Sequence, residues 1–438
     1  MLYLGSVNLL RPGRLDVATT ATLTSISQTQ YDPKLMLELF VTCLALLAYV
    51  YIGYPLLLGV ATRLFGRTNQ RTDALPSVTI VVAAHQESAV IRDKLENFDT
   101  IDYPDELLTM LIVSDGSTDG TDEIIQAHSN GRIRLMRQEP RAGKAAALNM
   151  AFAEVTSEVM VLTDANVLFD TQAVRRLVRH FAEDDVGAVT GVVHLIDAKT
   201  GYAESEGAYY KYERFIQQAE SGLGGVVGVD GALYALRTNL AEPPPREAIL
   251  DDFIISMNVG RQGKRIIYDD EATAVEDAAP DMSSEFRRKV RVAMGAFQSL
   301  FCRWGIPGIS TPWLTWCYWS HKVLRWLGPV LLLGSFISNT MLASGNHLFL
   351  SLFILQCLFY SLAVIGLISP KTRGARTIAV PMYFTMMNAA FALGLWRYLL
   401  QGTAGSWKPT ARTRLTGKEG LEAVSIEGKR LSKTDQNS

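Results

Sequence analysis

MLIVSDGSTDGTDE, residues 110–123, runs from an unbroken apolar stretch straight into acidic residues set among Gly, Ser and Thr. An EF-hand loop counted from Asp115 puts Asp119 and Gly120 where that motif needs them, but Gln126 falls where its bidentate Glu must sit. The calcium reading therefore fails, and a polar turn or the lip of a nucleotide site remains.

The surrounding chain alternates short β-rich apolar runs with helical periodicity, the pattern of a mostly parallel α/β sheet. VTIVVAA (78–84) precedes a helix with Val90, Ile91 and Leu95 on one face, and LLTMLIVS (107–114) precedes a second helix. RIRLMR (132–137) and VMVLT (159–163) read as further strands, and Val174, Leu177, Val178 and Phe181 repeat at amphipathic-helix spacing. Ligands of open α/β sheets bind just outside the carboxyl ends of the strands. Glu87 falls just past the first such end, Asp115 at the second and Asp164 at the fourth. One acidic residue there is usually a turn or cap residue; three at equivalent ends point to a common site.

The 438 residues carry 42 Lys and Arg against 44 Asp and Glu, a net charge of -2 that argues against a general nucleic-acid binder. Segments 39–62, 326–346, 348–369 and 377–396 carry no charge, and each approaches the roughly 20 apolar residues that cross a bilayer as a helix. Four membrane helices are expected. The first is too long and starts too far from Met1 for a cleaved signal peptide, so it reads as an anchor. Cys43, Cys302, Cys317 and Cys357 show no CxxC spacing, which points to packing and away from zinc or disulfides. Arg63, Arg67 and Arg71, then His321, Lys322 and Arg325, then Lys371, Arg373 and Arg376 cluster at span ends and place 76–305 in the cytosol. Four spans would then put the tail outside although it carries Lys408, Arg412, Arg414 and Lys418, so two signals conflict. The expected organisation is an N-terminal segment (1–34), an anchor (35–64), a cytosolic domain (76–285), an interfacial segment (286–320), about three membrane helices (323–401) and a basic, partly disordered tail (402–438).

Several stretches could carry chemistry. TDAN (163–166) sets Asp164 and Asn166 two apart at a strand end, spaced for one hard cation that also holds phosphate oxygens, although D-x-N is common in plain loops. GKAAALN (143–149) opens a helix with Lys144, either a phosphate contact or a solvent lysine. GVVGVDGALYALR (225–237) is a glycine-spaced loop entering a strand, where backbone can approach a ligand. ILDDFII (249–255) buries two carboxylates in an apolar run, which suits a general base of raised pKa or else a helix cap. FRRKVRVAMGAFQ (286–298) puts Arg288 and Arg291 on one helical face, for a diphosphate or for anionic headgroups beside Trp304, Trp313, Trp316 and Trp319.

With these residues in place the chain resembles the membrane-embedded branch of the family 2 inverting glycosyltransferases, which holds cellulose, hyaluronan and poly-N-acetylglucosamine synthases. The likeness rests on motifs in order: VTIVVAAHQES, VSDGSTDGT, GKAAALN, TDAN, GVDGALYALR, LDD and RKVR. It implies an α/β GT-A fold, that of nucleotide-diphospho-sugar transferases, as a mixed-sheet domain flanked by transmembrane helices. It further implies Asp252 as the catalytic base and Glu87, Asp115, Lys144, Asp164, Arg288 and Arg291 as donor-binding residues, with Asp115 at the nucleoside. Asp164 and Asn166 would hold Mg²⁺ or Mn²⁺ on the diphosphate. Two departures stand out: the family's Q-x-x-R-W is Arg288-Lys289-Val290-Arg291-Val292 here, losing the Gln and the Trp, and the metal motif is DAN.

The expected function is transfer of a sugar, with inversion, from a cytosolic nucleotide sugar, a UDP-sugar, to a growing polysaccharide or lipid-linked glycan at a bacterial inner membrane. Export or assembly subunits are possible partners, and nucleic acid is not. Addition of a single sugar to a membrane lipid is the alternative, and a silent sugar-nucleotide-binding partner a third.

Overall fold

The computed structural model describes residues 31–196, 203–277 and 281–401; the basic tail and nearly all of the N-terminal segment lie outside them. Eight strands form one mixed sheet in the order β3-β2-β1-β4-β7-β6-β8-β5. They are β1 (Val78–Ala84), β2 (Leu108–Asp115), β3 (Ile133–Gln138), β4 (Val159–Asp164), β5 (Leu168–Phe169), β6 (Val186–Ile196), β7 (Tyr234–Arg237) and β8 (Arg265–Asp277). The first four run parallel, β7 is antiparallel to both β4 and β6, and β6 and β8 are again parallel.

All seven residues of β1 are buried, as a central strand covered on both faces requires. Ile80 and Val82 join one apolar layer with Ile91, Leu95 and Leu177, whereas Val81 and Ala83 join the other with Ala147, Ala151 and Val259. The helices supplying these layers are α3 (Ile91–Phe98), α4 (Thr121–His128), α5 (Lys144–Glu154), α6 (Ala173–Val178) and α8 (Asp251–Arg261). Register then aligns the strand ends. Asp164 of β4 pairs across Ala83, and Asp115 comes one residue after Ser114, the partner of Ala84.

The apolar segments form helices on both flanks of this domain. α1 (Pro33–Ala48) and α2 (Tyr54–Phe65) are joined through a π turn at Tyr49–Gly53, where Pro55 lies just beyond and denies the helix a backbone donor. The combined Pro33–Phe65 helix, α12 (His347–Ile368) and α13 (Arg376–Gln401) are long and apolar enough to cross a membrane. The stretch expected as a second straight span is instead one limb of a bent pair: α10 (Pro312–Trp326) meets α11 (Gly328–Ala343) at 58°. Pro329 in the first turn of α11 explains the break, since it can begin a helix but cannot continue the preceding one.

A buried polar network ties the flanks to α7 (Ala203–Leu223). Tyr54 donates its hydroxyl hydrogen to Glu220 Oε1 (2.6 Å), and His321 sets Nδ1 against the same oxygen (2.7 Å) and Nε2 against Glu213 (3.1 Å). Arg325 also donates to Glu213. Both ring nitrogens of His321 thus face carboxylate oxygens of α7.

Candidate active site

A cleft of about 370 Å³ opens at the carboxyl ends of β1 and β4 and is closed on its other sides by the 230–231 loop, the start of α8, the end of β8 and helix α9 (Met282–Phe301). Seven acidic residues and three basic ones line it. Such an excess of like charge in one cleft favours binding of further cations.

Lys144 is one of the three basic residues lining the cleft. Helix α5 begins with it, after Gly143 at φ 97°, a backbone angle that side-chain-bearing residues rarely adopt. Nζ of Lys144 reaches Asp164 Oδ1 at 2.8 Å and Asp251 Oδ2 at 3.6 Å. Burial opposes its charge, but Asp164 and then Asp251 outweigh that and keep the ammonium protonated far above its usual range.

Asp251 and Asp252 form the first turn of α8, with Leu250 in the cap position, so neither is the N-cap. The Asp252 carboxyl is pushed up to about 7, first by burial and then by Asp251 beside it, with Lys144 pulling the other way. A helix N-terminus would normally favour the carboxylate; desolvation wins here. Its position depends on Gly231, where a Cβ would meet Asp252 Oδ2 at 2.4 Å and Cγ at 2.9 Å.

The remaining predicted residues divide. Glu87, Asn166, Arg288 and Arg291 line the same cleft as Lys144, Asp164 and Asp252. Glu285 holds Arg288 by two parallel hydrogen bonds of 2.8 Å. Asp115 lies outside this cleft lining, at the neighbouring strand end, and is fully buried. Its carboxylate accepts from Gln138 Nε2 (2.5 Å) and from the backbone N–H groups of Ala142 (2.7 Å) and Gly143 (2.9 Å). Asp115 thereby shapes the loop that delivers Lys144. Asp119, in the same opening motif, caps the backbone N–H of Ser88 (3.0 Å) and so fixes the loop after β1.

Asp230, Glu276 and Asp277, which the sequence did not single out, also line the cleft, as does Asp251, the second carboxylate of the ILDDFII pair. Asp230 sits inside the glycine-spaced motif, where it reads as a loop residue. Burial pushes the Asp230 carboxyl up to about 6, and Glu276 adds to this. Glu276 and Asp277 end a strand whose pattern had not been recognised.

For a divalent cation, the oxygens at the end of β4 are of the hard type that Mg²⁺ and Mn²⁺ take, and one or two carboxylates suffice when phosphates and waters complete the sphere. Asp164 and Asn166 fit that description, and Asn166 Nδ2 lies 3.4 Å from Glu276 Oε1. Among the described residues no three His, Cys, Asp or Glu side chains form a closed cage.

Two family models match the chain. "Glycosyl transferase family 2" matches residues 79–237, and "Glycosyl transferase family group 2" matches residues 159–393, more than half of the chain. The chain belongs to glycosyl transferase family group 2. Among curated proteins it is 26% identical over 234 residues to the "Probable glycosyltransferase YdaM" of Bacillus subtilis (strain 168), covering 50% of this chain and 55% of that one. It is also 26% identical over 235 residues to the "Poly-beta-1,6-N-acetyl-D-glucosamine synthase" of Staphylococcus aureus (strain COL), covering 52% and 56%. The match thus spans about half the length of these curated relatives. Among solved structures, "Mannosyltransferase PcManGT from Pyrobaculum calidifontis in complex with GDP-Man and Mn2+" superposes with a TM-score of 0.66 at 23% identity, over 83% of this chain and 99% of that one. That likeness shows the GT-A type of fold: a mixed α/β sheet with apolar helices beside it.

Proposed function

We propose that this chain is a membrane glycosyltransferase that moves a sugar, with inversion, from a nucleotide-sugar donor, a UDP-sugar, to a growing polysaccharide or lipid-linked glycan. The observation that carries this is the convergence of Asp252, Lys144 and Asp164 in one cleft at the strand ends. The chemistry follows from their positions. Asp252 accepts the proton of the acceptor hydroxyl while that oxygen bonds to the anomeric carbon, and the bond from that carbon to the diphosphate breaks on the opposite face. Lys144, Arg288 and Arg291 line the same cleft and in this reading neutralise the charge that gathers on the departing diphosphate. Asp164 and Asn166 would hold Mg²⁺ or Mn²⁺, which when bound supplies further positive charge to the phosphates. The cleft faces the cytosol of a bacterial inner membrane in this reading, where nucleotide sugars are made, and export or assembly subunits would receive the product.

A single transfer to a membrane lipid is a second reading, favoured by one feature. Ile249, Leu250 and Val292 give the cleft an apolar wall on its α9 side. Membranes containing the protein, incubated with radiolabelled nucleotide sugars with and without EDTA, test both readings. One donor should label product in a metal-dependent way, as a ladder or polymer under the first reading and as a single lipid species under the second. Asp252→Asn should abolish labelling while donor affinity stays within about threefold, because the base contributes about 10²–10⁴-fold to the rate. Retained turnover would remove Asp252 from the base role.

A further inference from the structure

Behind the end of β4 lies a buried lysine that the reaction does not touch. Lys94, on α3, points into the core and is 1% exposed. Its Nζ donates to the Val167 carbonyl oxygen at 2.6 Å and to Thr163 Oγ1 at 3.3 Å, and stands 4.1 Å from the centre of the Phe169 ring. Three residues on, along the same helix face, Asn97 Nδ2 donates to the Phe169 carbonyl oxygen (2.9 Å) and its Oδ1 accepts from the Phe169 N–H (2.7 Å). One helix face thus grips the chain at both ends of the segment that carries Asp164 and Asn166. Between the grips the chain turns back on itself, with the Val167 N–H donating to the Asp164 carbonyl oxygen at 3.3 Å.

A buried lysine is costly, and its hydrogen-bond acceptors here are neutral oxygens rather than a carboxylate partner. An apolar side chain of equal length would avoid that cost but leave the Val167 carbonyl oxygen without this donor. Burial pushes the Lys94 pKa down to about 7, and Asp164 is the charge that resists the fall, so the field of Asp164 reaches it. What a methionine could not do is bridge Thr163 to Val167.

We propose that Lys94 is a positioning residue for the diphosphate end of the site, clamping the 164–167 turn so that Asp164 and Asn166 present their oxygens to one cation. The inference rests on the donor-site reading above. Groups that orient metal ligands from behind typically change metal affinity about 10–100-fold when removed.

The test is Mn²⁺ binding to the full-length protein in detergent, read from loss of the free-Mn²⁺ electron paramagnetic resonance signal in the presence of UDP, alongside steady-state kinetics. Lys94→Met, where it remains folded, should bind Mn²⁺ about tenfold or more weakly and raise donor KM by a similar factor. Thr163→Val, which keeps shape and removes one acceptor, should move Mn²⁺ affinity and KM the same way by a smaller factor. Native Mn²⁺ affinity and KM in folded Lys94→Met overturn the proposal. If that variant does not fold, unchanged Mn²⁺ affinity in Thr163→Val overturns it instead. Absence of UDP-dependent Mn²⁺ binding by the unsubstituted protein sinks the donor-site reading itself, and this inference with it.

Discussion

Gly231→Ala is the sharpest single test of how the base is held. The backbone at Gly231 is not left-handed, so alanine is conformationally acceptable there, and the new methyl group meets one neighbour above all. At 2.4 Å from Asp252 Oδ2, it must be separated by about 1.0 Å before the contact reaches the ordinary 3.4 Å. Rotation of the carboxyl relieves the contacts with Oδ2 and Cγ, and Asp252 Cβ, at 3.0 Å, must give by a few tenths of an ångström as well. A displacement of about 1 Å in a reacting group costs on the order of 100-fold in rate, equivalent to about 2.7 kcal/mol of barrier. The expected outcome is therefore a kcat lowered about 100-fold with donor KM and unfolding midpoint close to native. Gly131→Ala is the matched control, since a Cβ there meets nothing within 4 Å. Steady-state kinetics on the purified protein read both variants. A kcat for Gly231→Ala within about threefold of native would refute the reasoning, because a misplaced base cannot leave turnover intact.

Further outcomes follow from the charges around the base and the membrane junction. In the proposed role Asp252 works ionised, and its pKa is raised to about 7 by burial and Asp251, so kcat/KM should fall toward tenfold per pH unit below about 7 and level off above it; a flat profile from pH 5 to 8 would contradict this. Asp251→Asn removes the repulsion that helps to raise Asp252, so the acidic limb should move to lower pH, and a shift to higher pH would exclude Asp251 as a cause. His321→Ala leaves Glu220 and Glu213 without their shared partner, which should cost about 3 kcal/mol and lower the thermal midpoint in detergent; an unchanged midpoint would show that Tyr54 and Arg325 suffice.

The strands most legible in the sequence are the first four, β1 to β4. Strands buried on both faces must be apolar at every position, and VTIVVAA and VMVLT announce themselves for that reason. β6 and β8 obey a different logic. Their pairing slips register twice, between Val186 and Ala188 and between Thr190 and Val192, and β8 carries Asp269, Asp270 and Glu271 mid-strand. Asp269 is tolerated because Arg179 and His180 close over it, partners far away in the chain and invisible to local pattern. The site divides along the same line. Lys144, Asp164 and Asp252 lie at element boundaries that motifs mark, whereas Glu276 reaches the cleft through the pairing of β8 with β5 and β6. Asp115 stands between these cases: its place at a strand end was readable, but its grip on the 142–143 backbone requires the loop to fold back over the sheet. Hydropathy likewise counted the residues of the second span without seeing the bend at Gly328.

That bend bears on how the cleft and the membrane are joined. Helix α8 presents Asp252 to the cleft from its first turn, and one residue later Phe253 packs against Tyr318 and Trp326 of α10. Met257 continues the same contact in a cluster with Leu314 and Phe297. The proposed base therefore sits on a helix that is part of the core shared with α10, and a side chain locked by such packing can hold a reactive geometry only as well as its support does. Beyond the bend, α11 packs against α1. The kink allows one stretch of chain to serve the polar domain with one limb and the apolar bundle with the other, and so couples the placement of Asp252 to the packing of the bundle.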